Sequence, residues 1–215
     1  MPLKRTFIFT LSYHEDHILR RIHENRATRN DQIIIIAPQN PTPPTRVAIE
    51  NLKAYTMKLG LPQPQVNHVN LEDTAQALAQ ITEIIASQTP PIIADLTGGP
   101  KTLSLLTLLA IIITRKPADI HIQPTPENPA PTHIPRQIIE LINHPIPPEK
   151  QKILKTIIEN PGTTIQELAQ QHQKTPKTIK NYTTLLKHYN LVIQKGRKAA
   201  LYPTKWAKIA THIKQ

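Results

Sequence analysis

The chain has 215 residues, enough for one large domain or a medium domain joined to a small one. It has no cysteine, which excludes disulfides and thiolate metal sites and fits a cytoplasmic protein. The net charge of +11 divides unevenly: residues 1–146 carry 13 Lys+Arg against 12 Asp+Glu, and residues 147–215 carry 13 against 3. A near-neutral body joined to a module of net charge +10 points that module at a polyanion. The longest apolar run, Leu103 to Thr114, is too short to span a bilayer, and MPLKRTFIF lacks the apolar core of a signal peptide, so no membrane partner is expected. The 22 prolines and 5 glycines stiffen the unfolded chain, a composition suited to a hot environment.

In chain order, apolar runs predict strands at Thr6–Leu11, Gln32–Ala37, Gln65–Asn70, Pro91–Leu96 and Asp119–Gln123. Helical patterns fall between them at about 15–26, 45–59, 73–88 and 100–115, the second stopped by Gly60. Strands separated by helices imply parallel pairing. The unbroken run Ile33-Ile34-Ile35-Ile36 suits a strand covered on both faces. The expected fold is α/β, a Rossmann-like, doubly wound and mostly parallel sheet. Eight prolines between Pro124 and Pro148 predict a stiff, extended connection, in which Thr132–Ile134 could add an edge strand and Arg136–Asn143 a short helix. The domains are accordingly read as residues 1–135, a proline-rich linker at 136–148, and residues 149–215.

The last part reads as a winged helix-turn-helix. Lys150–Glu159 is a helix ended by Asn160-Pro161-Gly162, and Thr164-Ile165-Gln166-Glu167 is a capping box opening a short second helix. Thr175-Pro176 opens a third, whose Ile179, Tyr182, Leu186 and Tyr189 are spaced as one buried face. Leu191–Gln194 and Ala199–Tyr202 flank a basic hairpin tip, Lys195-Gly196-Arg197-Lys198. The third helix of such a motif enters the major groove, so Lys177, Thr178 and Asn181 are candidate base contacts. Lys174, Lys180, Lys195, Arg197 and Lys198 are candidate phosphate contacts on double-stranded DNA. A solvated face of a protein-interaction module is the plainer alternative, and the charge division weighs against it.

Two of the five glycines are adjacent in Asp95-Leu96-Thr97-Gly98-Gly99-Pro100-Lys101-Thr102, between a strand and a long apolar helix. Paired glycines permit close approach to the backbone, and the helix start and Lys101 add positive charge, so the turn suits an anion, phosphate above all. GxxxxGK[ST] and GxGxxG are both absent, which argues against a P-loop NTPase and a nicotinamide oxidoreductase. His14-Glu15-Asp16-His17 lacks a metal-ligand helix spacing and reads as an acidic first turn, so no metal is expected. Arg115 and His121 share the Arg-x5-His spacing of HEPN ribonucleases, but they straddle a helix end and a strand, which favours coincidence.

The frame strand–Asp-Leu-Thr-Gly-Gly-Pro-Lys–helix resembles the CARF domain, the CRISPR-associated Rossmann fold. Thr45-Arg46-Val47-Ala48-Ile49-Glu50-Asn51-Leu52, Pro91–Thr97 and Ile111–Lys116 resemble the archaeal CARF–winged-helix transcriptional regulators of CRISPR loci, over essentially the whole chain. The resemblance implies a homodimeric, non-enzymatic regulator in antiviral defence that needs no cofactor. Its effector would be a cyclic oligoadenylate, commonly cyclic tetra-adenylate, bound at the dimer two-fold. Carried over, the ligand-binding residues would be Thr10, Leu11, Ser12 and Tyr13 from the first loop and Thr97, Gly98, Gly99, Lys101 and Thr102 from the second. Relatives often place glycine where Ser12 stands, and Lys101 is a point charge where an arginine would offer a fork. Since some CARF domains cleave their ring ligand, a slow ring nuclease using Ser12, Lys101 and Thr102 is the enzyme alternative.

Overall fold

The computed structural model describes residues 4–123, 130–196 and 199–213. It divides into two compact units, Met1–Arg136 and Gln137–Gln215.

Among its described residues the first unit has one six-stranded sheet and four helices. Its strands are β1 (Thr6–Thr10), β2 (Gln32–Pro38), β3 (Gln65–Val69), β4 (Ile92–Asp95), β5 (Ala118–Ile122) and β6 (Thr132–Ile134). Its helices are α1 (Asp16–Glu24), α2 (Pro43–Lys58), α3 (Thr74–Ala86) and α4 (Lys101–Thr114). The strand order is β3-β2-β1-β4-β5-β6, parallel from β1 through β5, with β6 antiparallel on β5. This is the doubly wound Rossmann order, in which the chain reverses direction between β1 and β4. All five residues of β1 and Ile33 to Ile36 of β2 are buried. Phe7, Phe9, Ile33 and Ile35 pack with Ile18, Ile22, Ala48 and Leu52 of α1 and α2. The intervening Ile8, Ile34 and Ile36 face the opposite side. Burying an isoleucine contributes roughly 1.5–3 kcal/mol against about 0.5–1.5 for a ladder hydrogen bond, so the apolar run is what places β1 and β2 in the middle.

The helix ends follow local chemistry. Gly60 lies just past α2 with φ +65, and its N–H donates to Met57 O. α2 begins two residues before the sequence pattern suggests, because Thr42-Pro43-Pro44 supplies a helix start with proline in the first turn. α4 ends at Arg115 in the left-handed conformation, without a glycine. No helix among the described residues is long and apolar enough to cross a membrane.

The second unit contains α5 (Arg136–Asn143), α6 (Pro148–Glu159), α7 (Ile165–Gln171), α8 (Pro176–His188), the antiparallel hairpin β7 (Val192–Lys195) and β8 (Ala200–Pro203), and α9 (Ala207–Ala210). Within the segment 136–148, read as a linker, the short helix expected at Arg136–Asn143 is present as α5, and from Gln137 onward the segment belongs to this compact unit. Ile138, Ile139, Leu141 and Ile146 are buried, and Pro148 sits in the first turn of α6, where proline is tolerated. Residues 124–129 of the expected connection lie outside the described residues. Thr164 and Glu167 form the reciprocal capping box of α7, and Thr175 caps α8 ahead of Pro176. On α8 the buried line is Ile179, Thr183 and Leu186. Tyr182 and Tyr189, expected inside, are half-exposed, because the core line turns toward Thr183 and leaves both rings at its rim.

Candidate functional site

At the carboxyl ends of β1 and β4, where the sheet reverses, the β1–α1 and β4–α4 loops enclose an open cavity of about 430 Å³. Its lining is Ser12, Tyr13, His14, His17, Thr97, Gly98, Gly99 and Pro100. The two loops are locked together. The Thr10 hydroxyl donates to Gly98 O at 2.5 Å, and His17 Nε2 lies 3.2 Å from Thr10 O. A Cβ on Gly98 would stand 2.5 Å from Thr10 O and 2.7 Å from His17 Cε1, so any side chain there pushes the loops apart. Gly99 has φ +88, a conformation that favours glycine. The Thr10 carbonyl selects the ring form of His17 protonated at Nε2. Burial pushes the His17 imidazolium below the ordinary histidine range, against the pull of Asp95 and Thr10.

Beneath the cavity lies a buried polar network. Asp95, fully buried at the end of β4, accepts from Arg21 Nε at 3.0 Å, from Thr97 N at 3.1 Å and from the Thr97 hydroxyl. Arg21 also pairs with Glu24 at 2.7 Å. The Thr97 hydroxyl in turn accepts from Gln123 N at 2.8 Å, and Ser104 donates to Leu96 O at 3.0 Å. A buried charge is expensive unless paired; Arg21 supplies the counter-charge, and Thr97 ties the carboxylate to the residue that opens the glycine turn. Beside this network His121 stacks on His133, centroids 4.4 Å apart, and burial, Arg21 and His133 push His121 down to about 4.

Five of the nine residues expected to hold a ligand therefore line one cavity: Ser12, Tyr13, Thr97, Gly98 and Gly99. Thr10 and Leu11 are buried behind it. Lys101 and Thr102 are exposed in the first turn of α4 and are not part of the lining. The Thr97 hydroxyl is spent on Asp95 and Gln123, which leaves its backbone to face the cavity. His14 and His17, weighed only as metal ligands, and Pro100 of the glycine turn also line the cavity, which the sequence does not foretell, and the same holds for the network below. The lone carboxylate inside the apolar run Pro91–Leu96 was the available signal, since a charge in a buried strand requires a cation such as Arg21.

In the second unit, Lys177, Lys180 and Asn181 are exposed on α8, opposite its buried line, and Lys195 is exposed at the end of β7. Lys177 and Lys180 line an open cleft of about 460 Å³ with Ile165, Gln166, Pro176 and Ala199. Thr178 is half-exposed, and its hydroxyl lies 3.0 Å from that of Thr175 in the helix cap. Lys174, expected to meet phosphate, is paired with Glu149 at 3.3 Å. Arg197 and Lys198 lie outside the described residues. No group of three or more metal-ligating side chains occurs among the described residues.

Residues 5–132 match the family model of the Csa3 CRISPR-associated Rossmann-like domain. The chain belongs to the Csa3 family. It is 31% identical over 193 residues to Csa3 of Saccharolobus solfataricus, a CRISPR locus-related protein proposed in its name to bind DNA, covering 90% of this chain and 81% of the relative. Among solved structures it is similar to Can2 from Sulfobacillus thermosulfidooxidans in complex with cyclic tetra-adenylate, at 16% identity and TM-score 0.40 over 96% of this chain and 63% of that one. It is also similar to Enterococcus italicus Csm6 bound to cyclic hexa-2'-fluoro-hexa-dAMP, at 8% identity and TM-score 0.47 over 87% of this chain and 50% of that one. Membership of the Csa3 family rests on the sequence matches alone, and it makes the Rossmann-like unit a CRISPR-associated CARF domain.

Proposed function

We propose that the protein is a ligand-responsive regulator of CRISPR-associated genes. Residues 149–215 act as a winged helix-turn-helix on double-stranded promoter DNA, and residues 1–135 bind a cyclic oligoadenylate, cyclic tetra-adenylate first. The observation that carries the reading is the outward line of α8, where Lys177 and Asn181 stand exposed opposite Ile179, Thr183 and Leu186. Asn can pair bidentately with adenine and Lys can donate to guanine, and Lys180, Lys195, Arg197 and Lys198 supply charge for phosphates.

The cavity supports the second half of the reading. A glycine turn ahead of a fourteen-residue helix presents backbone N–H groups and a partial positive charge, and Lys101 stands at the same helix start. At about 430 Å³ the cavity holds part of a cyclic tetranucleotide, so the whole ring calls for two copies across a two-fold axis. Leu105, Leu109 and Ile113 form an exposed apolar stripe along α4, 57%, 39% and 55% exposed, which suits burial against a second copy. A sensor is favoured over a ring nuclease because Ser12 lines the cavity while Lys101 and Thr102 stand outside its lining.

Fluorescence anisotropy of labelled duplexes from the promoters of its own locus, across a salt series, tests the DNA half. A dimer touching ~6–10 phosphates gives a log–log slope near −5 to −9; a slope near zero ends the DNA reading. Labelled cyclic tetra-adenylate recovered intact after incubation supports the sensor, and linear products support the nuclease.

A further inference from the structure

Residues 147–215 contain three acidic side chains, and one of them stands among the cations of the α8 surface. Glu149, in the first turn of α6, accepts the Tyr182 hydroxyl at 2.8 Å and lies 3.3 Å from Lys174 Nζ, both at the same oxygen, Oε2. Lys174 Nζ and Lys150 Nζ flank the Tyr182 ring at 5.9 and 5.6 Å. Hydrogen bonds from Tyr182 and then Lys174 hold the Glu149 carboxyl below the usual carboxylate range. The pair is solvent-exposed and screened, so fold stability does not account for it.

The position on α8 does. At 100° per residue, Lys177 and Asn181 form the outward line, Lys180 and Lys187 flank it toward the hairpin, where Lys187 Nζ meets Gln194 Oε1 at 2.5 Å, and Tyr182 flanks it toward α6. A helix seated in the major groove is bordered by two phosphate strands. In such a seating the hairpin with Lys195 would face one strand, and Lys150, Lys174 and Tyr182, which cluster beside Glu149, would face the other. Lys174 and Tyr182 thus converge on a single anionic oxygen, the arrangement that a DNA phosphate oxygen would also satisfy.

We propose that Glu149 sets the specificity of the DNA interface by occupying Lys174 and Tyr182, which turn to the phosphate backbone only when a well-seated duplex replaces the carboxylate. The proposal rests on the DNA-binding reading above. A loosely held, non-cognate duplex does not displace Glu149, and the swap is reserved for a site that α8 fits.

Anisotropy on the full chain, with a promoter duplex and a scrambled duplex of equal length, tests this in the wild type, Glu149→Gln, Lys174→Gln and the double variant. Melting curves on each check that these exposed substitutions leave the fold intact. Glu149→Gln is expected to tighten scrambled DNA about two- to fivefold and steepen its salt slope by about 1, with a smaller gain on promoter DNA. Lys174→Gln is expected to weaken scrambled-DNA binding more in the Glu149→Gln background than in the wild type. Additive effects of the two substitutions would mean that Glu149 merely repels DNA at a distance, and weaker binding by Glu149→Gln would mean that it positions Lys174 for contact; either overturns the proposal while leaving DNA binding intact. A wild type that binds neither duplex at low salt overturns the DNA reading itself, and this inference with it.

Discussion

Both units set a helix start behind a turn, α4 behind Gly98-Gly99 and α8 behind Thr175-Pro176, yet they treat charge in opposite ways. Around the cavity, charge is consumed internally: Asp95 by Arg21 and Thr97, Arg21 also by Glu24. His17 and His121 are held toward neutrality by burial, so the cavity is lined by uncharged polar groups and the glycine-turn backbone. On α8, Lys177 and Lys180 stand exposed in water. The first arrangement fixes geometry and suits a small anion of defined shape. The second leaves charge mobile and suits a long polyanion, whose grip comes from counterion release.

The largest expected effect is on the rigid side. Gly98→Ala places a methyl 2.5 Å from Thr10 O, and overpacking of this kind costs about 1–3 kcal/mol. Calorimetry should show a lower melting temperature for the variant, and titration should show loss of cyclic tetra-adenylate binding with DNA binding intact. A variant that binds ligand normally would show that the locked turn is incidental. On the mobile side, Asn181→Ala should cost about 1–3 kcal/mol on the preferred promoter duplex and little on a scrambled one. Equal losses on both would reduce Asn181 to a bystander. Lys195→Gln should weaken all duplexes alike and reduce the salt slope by about 1; an unchanged slope would remove the hairpin from the interface.

The smallest effect is with pH. His121 takes up a proton near pH 6.5 when unfolded and only near 4 when folded. The stability linked to neutral His121 is therefore present above pH 6.5 and is lost as the pH falls toward 4. A melting temperature that rises on acidification through that window would contradict the burial of His121.

What was legible in the sequence was local. The four consecutive isoleucines, the Thr164–Glu167 capping box, the β6 edge strand and the glycine turn each carry their signal within a few residues. What was hidden depends on partners far along the chain. Arg21 and Asp95 are 74 residues apart, and only the fold brings His17 against Gly98. α5 belongs with the legible elements: despite the prolines around it, Arg136–Asn143 carries its own apolar face, Ile138, Ile139 and Leu141. Tyr182 was read as core because its spacing fits, but a tyrosine at the rim of a helix face can turn its hydroxyl to a charged partner, as it does to Glu149.

The central claim is that one chain holds two anions and couples them. Reciprocity requires each ligand to shift the other's affinity by the same factor. Calorimetric titration of cyclic tetra-adenylate into the full-length protein, alone and saturated with promoter duplex, measures this directly. Binding is expected in both titrations, with a dissociation constant displaced by the factor that the cyclic nucleotide imposes on DNA; superimposable curves, or no heat in either, would overturn the coupling.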